Sequence, residues 1–241
     1  MMRRAIFFVI ALGLTAPGCV FRENSARATE SRDEKSAQPS DIERARAILE
    51  ARHSGEVGSE ARFGTTTLAG YNFHEEVHPP GGTIFMFVSL HGAGSVWLFD
   101  SDGELTQQLP TGEILAVRSR DVDGDGTLEF LTEEVDGFGT GVRMEGFHLY
   151  GLVGDTLVSV WSGQSKTAIS PPPTAKDTAE SRTGFVRFGG RGQAGESTMV
   201  HVVWDHARSL VTEKVFELSR SDGSLNVIEV GETTRSCPQG G

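Results

Sequence analysis

Asp121-Val122-Asp123-Gly124-Asp125-Gly126-Thr127-Leu128-Glu129-Phe130 sets carboxylates at alternate positions, a Gly-Asp-Gly turn among them, and one more acid at the ninth place. Strand-like apolar runs flank it, Glu113–Val117 before and Leu128–Thr132 after, so it reads as the loop of a β-hairpin. A hard cation such as Ca²⁺ takes about six to eight oxygens at about 2.3–2.6 Å, and a short loop must curl to supply them. Asp121, Asp123 and Asp125 can point inward together, the Thr127 carbonyl can close a further position, and Glu129 can add one or two oxygens. Gly124 and Gly126 permit the positive φ that such a curl demands. Without a cation, so many carboxylates in one tight loop would repel one another.

The pattern Asp121-x-Asp123-x-Asp125-Gly126-x-x-Glu129 resembles the calcium loop of FG-GAP and VCBS repeats, found in integrin-type β-propellers and many bacterial surface proteins. In those families the loop joins the first two strands of a blade. The resemblance covers Gly112 to Trp161 and the motif occurs once; Glu129 stands where the integrin form has Asp. It implies a Ca²⁺ site at Asp121, Asp123, Asp125, Thr127 and Glu129, set in propeller-like β structure. An EF-hand fits less well, because Thr132 occupies its obligatory twelfth-position Glu and the flanks are not helical.

Outward from the loop the chain reads as all-β. Thr83–Leu90 (TIFMFVSL) is a nearly continuous apolar run, the mark of a strand covered on both faces. Met144–Tyr150, Thr156–Trp161, Phe185–Phe188, Thr198–Trp204 and Val211–Leu218 are further strands, separated by turns rich in Gly, Asp, Ser and Asn. Three segments echo one another as strand, turn and strand: Val96–Leu105, Phe147–Leu157 and Val215–Leu225. Their spacing suits four-stranded units, yet three units are too few for most closed propellers. The expected fold is therefore a set of antiparallel meander units, an incomplete propeller or a sandwich. It forms a single β domain over 57–235, with Pro171–Glu180 as an exposed loop.

The N-terminus bears on location. Arg3 and Arg4 precede a short apolar core, Ala5–Ala16, too short to span a bilayer and suited to an export signal. Ala16-Pro17-Gly18-Cys19 then resembles a bacterial lipobox, which implies a signal peptide over 1–18, a lipid on Cys19 and a membrane-anchored envelope protein. Cleavage after Ala28 instead would release a soluble secreted chain. Residues 19–56 read as a flexible stalk, poor in large apolar side chains at first. Within it Ser40 and Glu43 form a capping box for a short helix over 41–52, expected to dock loosely. Residues 236–241 read as a frayed, disordered tail, which leaves Cys237 without a chemical role.

Composition excludes some partners. The net charge is −11, and loss of residues 1–18 removes two arginines and no acid. No basic cluster is present to neutralise phosphates, so nucleic acid is not an expected partner. Catalytic motifs fare poorly. His74-Glu75-Glu76-Val77-His78 matches H-E-x-x-H, but Pro79 and Pro80 follow at once and deny it the helix that zinc chemistry needs. Gly190–Gly195 matches G-x-G-x-x-G but leads into a strand, and Gly137–Gly141 is a flexible connection. Trp97, Trp161 and Trp204 all sit in apolar strands and read as core; His201 and His206 read as a strand end and its turn. The sequence thus points to a non-enzymatic, lipid-anchored β module of the cell envelope stabilised by calcium. A protein- or glycan-recognition role is the first alternative, and a zinc hydrolase using His74, Glu75 and His78 the second.

Overall fold

Phe85-Met86-Phe87-Val88 is completely buried, which a run of consecutive apolar residues achieves only in a strand covered on both faces. The computed structural model describes residues 39–53, 62–63, 66–67, 72–139, 141–169, 181–189 and 197–237. In it, that run lies inside a four-stranded antiparallel sheet ordered β3 (Asn72–Val77), β4 (Ile84–Leu90), β5 (Ala93–Phe99) and β6 (Leu105–Thr111). Two short strands, β1 (Arg62–Phe63) and β2 (Thr66–Thr67), pair with each other. Phe85 and Phe87 share one face of the larger sheet with Val96 and Leu98, while Met86 and Val88 share the other with Trp97 and Phe99.

That second face is covered by a helix, α1 (Asp41–His53). The Ser40 amide donates to Glu43 Oε2 at 2.9 Å, one half of a capping box. Ile42, Ala45 and Leu49 recur at helical spacing and are buried against Met86, Val88, Trp97 and Phe99. Polar ties reinforce the seat. The Ile42 amide donates to Gly103 O at 2.9 Å, the Leu105 amide to Asp41 Oδ2 at 3.1 Å, and Arg46 pairs with Glu76 on β3. The loose docking expected of this helix is therefore corrected: it is an integral layer.

The remaining strands form one eight-stranded antiparallel sheet: β7 (Glu113–Arg120), β8 (Glu129–Gly139), β9 (Val142–Val153), β10 (Thr156–Ile169), β11 (Ser181–Phe188), β12 (Thr198–Asp205), β13 (Leu210–Ser221) and β14 (Ser224–Ser236). Each pairs with its predecessor, and β7 and β14 remain as edges. Gly112 makes the passage from one sheet to the other. A side chain there would run into the Val135 carbonyl, so the corner requires glycine.

Alternation divides the large sheet between two cores. Phe130 pairs with Tyr150, and both face the small sheet together with Leu157 and Ile114. The Phe130 ring lies 4.5 Å from that of Phe85 and 5.3 Å from that of Phe87. The next pair, Leu131 and Leu149, faces the other way and meets Val186, Met199, Phe216, Leu218 and Leu225. The large sheet thus curls so that its later strands cover the back of β8 and β9.

The all-β reading holds, as antiparallel meanders packed face to face with one short helix. The three echoing segments are the hairpins β5–β6, β9–β10 and β13–β14, and the last two lie in one continuous sheet rather than in separate blades. The C-terminal expectation is corrected in part. Ser236 ends β14 paired with Leu210, and the Cys237 amide donates to Ser209 O at 2.8 Å. The signal peptide, Cys19, the stalk up to residue 38, the Pro171–Glu180 loop, Gly190–Gly195 and residues 238–241 lie outside the described residues.

Candidate metal centre

The loop between β7 and β8 shapes itself through its own aspartates. Asp121 accepts from the Gly124 amide at 2.7 Å through Oδ1 and from the Gly126 amide at 2.9 Å through Oδ2. Asp125 Oδ1 accepts from the Thr127 amide at 2.7 Å, and Asp123 Oδ1 from the Asp125 amide at 3.3 Å. Such side chain to backbone bonds are the reason Asp is favoured in tight turns. Gly124 and Gly126 take φ of 81° and 89°, left-handed values that a side chain would strain.

The curl brings one oxygen each from Asp121, Asp123 and Glu129 within 4.8 Å of one another. An all-oxygen, carboxylate-rich donor set suits hard cations such as Mg²⁺, Ca²⁺ or Mn²⁺, and this acidic triad can hold a metal ion. Asp125 is not part of the triad and turns to an arginine, while Thr127 is anchored through its amide to Asp125.

That arginine, Arg220 on β13, is the component sequence reasoning missed. Its Nε lies 3.0 Å from Asp123 Oδ2 and 2.7 Å from Asp125 Oδ2, and its Nη2 lies 2.5 Å from Glu129 Oε1. Nη1 donates to the Leu152 and Gly223 carbonyls at 3.3 and 3.2 Å. Ser197 adds a second long-range tie, donating its hydroxyl to Asp123 O at 3.0 Å. The loop is thereby fastened to the far half of the curled sheet. The carboxylates are partly compensated by protein, with one guanidinium set against Asp121, Asp123, Asp125 and Glu129.

Glu129 is the buried member, with 1 % of its surface exposed. Burial pushes its carboxyl up to about 7. The Val122 amide opposes the shift, the charges of Asp123 and Asp125 add to it, and Arg220 counters them. A neighbouring positive charge is therefore what the ionised form needs, and a divalent ion would supply more of it. Glu129 also links site to core, because the adjacent Phe130 points through the other face of β8 into the aromatic contact with Phe85 and Phe87.

The zinc-hydrolase alternative loses its geometry. His74 to Val77 lie on strand β3 rather than a helix, and His74 falls at a register shift between Phe73 and Glu75. Residues four apart on a strand are separated by about 13 Å along the chain, not by the single helical turn the motif needs. Glu76, in its middle, is engaged with Arg46 and with His78.

The tryptophans divide. Trp97 is fully buried, and Trp161 packs edge-on to His201 and Phe216. Trp204, expected in the core, is 45 % exposed and stacks on His206 at 4.5 Å. His201, expected at a strand end, lies within β12, buried, with Nε2 2.7 Å from Gln164 O. Cys237 sits among Val200, Val202, Val211 and Val215. No protein-family model matches the chain, and no curated protein or solved structure matches it either.

Proposed function

We propose that the chain is a non-catalytic β module of the bacterial cell envelope, anchored by a lipid on Cys19, in which one calcium ion reinforces the β7–β8 loop. The observation that carries this reading is the convergence of Asp121, Asp123 and Glu129 over a loop whose backbone is already curled by its own Asx bonds. One arginine leaves that group of acids negatively charged, so a divalent cation is attracted. Calcium is favoured over magnesium because it tolerates irregular oxygen sets, whereas magnesium demands near-ideal octahedral geometry. The ion would hold the loop against the curled sheet and stabilise the fold without performing chemistry.

Extracellular calcium modules bind at about 10⁻⁴–10⁻³ M, and free metal at a hundred times the dissociation constant adds about 2.7 kcal/mol. Thermal unfolding in millimolar calcium, in magnesium and in chelator tests the reading. The expected result is a higher Tm in calcium that Asp123→Asn abolishes and Asp155→Asn, in the β9–β10 turn, leaves intact. An identical Tm in all three solutions would falsify it. Anchoring is tested separately: Cys19→Ala should move the protein from the membrane fraction to the soluble one, and release of wild-type protein as a soluble chain would favour the secreted alternative.

A second reading, recognition of a glycan or protein partner, is favoured by the exposed Trp204 and Phe185 on the outer side of the large sheet. Glycan-array binding lost in Trp204→Ala would support it, and an array without signal would remove the glycan form.

A further inference from the structure

Beside the acidic loop, on the same inner face of the curled sheet, lies a cleft of opposite character. Arg118 and Arg120 are two residues apart on the edge strand β7 and so project from one face. They pair across to Leu131 and Glu129, which places both guanidinium groups on the inner side of the curl. Val122 and Leu131 line the cleft with them, and Val186 and Phe188 of β11 line it from the later half of the sheet. Its volume is about 420 Å³, within the roughly 300–1,000 Å³ of small-molecule sites. The Arg120 guanidinium stands 6.0 Å from the centre of the Phe188 ring.

The charges here do not cancel one another. Glu129 reaches the cleft wall, but its two oxygens are taken by the Val122 amide at 2.9 Å and Arg220 at 2.5 Å. Arg187, at the rim, is paired with Glu213 at 3.5 Å. Among the described residues, Arg118 and Arg120 have no carboxylate within ion-pair distance, in a chain whose net charge is −11. Two uncompensated cations side by side on an acidic protein repel each other, and that repulsion is relieved by an anion between them.

We infer that this cleft binds a small organic anion, a carboxylate or phosphate group carried on an apolar body. Guanidinium groups bind such oxyanions through paired N–H donors, and two of them about 7 Å apart along one face of a strand can straddle a single head group. Phe188, Val186, Val122 and Leu131 offer the apolar surface for the rest of the ligand. This inference does not require the calcium reading: Arg120 stands across the ladder from Glu129, but the guanidinium groups of Arg118 and Arg120 carry the binding, and it is measured with metal removed.

The test uses the full chain in chelator, titrated with benzoate, phenyl phosphate, inorganic phosphate and benzyl alcohol by calorimetry and by amide chemical shifts. At least one aryl anion is expected to saturate, with shifts confined to residues 118–122 and 186–188, while benzyl alcohol gives none. The better of benzoate and phenyl phosphate identifies the head group. Arg118→Gln together with Arg120→Gln should weaken binding by about tenfold or more at an unchanged unfolding midpoint, since both side chains are exposed. Phe188→Ala should weaken the aryl anion and leave inorganic phosphate unaffected. Failure of all three anions to saturate, or equal affinity in the double variant, overturns the inference. Phenyl phosphate binding no better than inorganic phosphate overturns its apolar half.

Discussion

Two glutamates on the same strand, Glu129 and Glu134 of β8, are each 1 % exposed, and they are buried in different ways. Glu134 is held by neutral donors: the Tyr150 hydroxyl at 2.8 Å, the Gly112 amide at 2.8 Å and the Thr132 hydroxyl. It closes the corner where the chain leaves the small sheet for the large one, and in turn its charge helps burial raise the Tyr150 phenol above its ordinary range. Glu129 is held by one amide and one guanidinium, with Asp123 and Asp125 bearing on it. The first is an anion whose hydrogen bonds are supplied by its surroundings. The second belongs to a cluster in which negative charge outnumbers positive. Burial alone does not distinguish a fastening from a cation site; the balance of nearby charge does.

The largest effect should come from breaking the charged end. Arg220→Met leaves Asp123, Asp125 and Glu129 without their protein counter-charge, and removing one partner of a buried pair costs about 3–5 kcal/mol. Urea unfolding in chelator should show this loss. Calcium should restore more stability to the variant than it adds to wild type, because arginine and metal oppose the same field. Equal calcium gains in the two proteins would show that they do not share it. Tyr150→Phe should cost about 2 kcal/mol by leaving Glu134 short of a donor. That loss should be identical with and without calcium, and a calcium-dependent loss would collapse the distinction between the two glutamates.

A smaller effect separates both from a third buried group. Burial lowers the pKa of His201; its bond to the Gln164 carbonyl opposes this, and nearby Lys214 adds to the lowering. The unfolded chain takes up that proton near pH 6.5, while the folded chain resists it. Stability from His201 is therefore complete above that pH and declines as pH falls toward the depressed folded value, by no more than about 1.4 kcal/mol per pH unit. Unfolding midpoints at pH 7.5 and 5.5, for wild type and His201→Phe, read it; the difference between pH values should shrink in the variant. Least of all, Trp204→Ala should change stability by less than about 0.5 kcal/mol, as exposed positions do.

How much of this could be read from sequence follows from distance along the chain. The acidic loop was legible because its Asx bonds and glycine turns are local, with partners two to five residues apart. Strand β4 was legible because its burial on both faces leaves a continuous apolar run. Arg220 was not, since it lies 91 residues from Glu129 and meets it only because the sheet curls. Strand β14 was legible only where it opens, at Leu225 in the Val215–Leu225 echo: further on, the register shift opposite Val215 and Phe216 leaves Val230 unpaired and interrupts its alternation. Trp204 misled because its apolar neighbours on β12 line a face that is partly open to solvent.

From β4 onward each strand finds its hydrogen-bonding partner in the strand just before it, except at the Gly112 corner. Such a chain can assemble in the order in which it is delivered, adding one hairpin at a time with short loops to close. The guanidinium of Arg220 arrives close to the end of that order. Until it does, the aspartates of the β7–β8 turn face water with no resident counter-charge, so a divalent ion taken up at that stage would stand in for the guanidinium while the later strands are added.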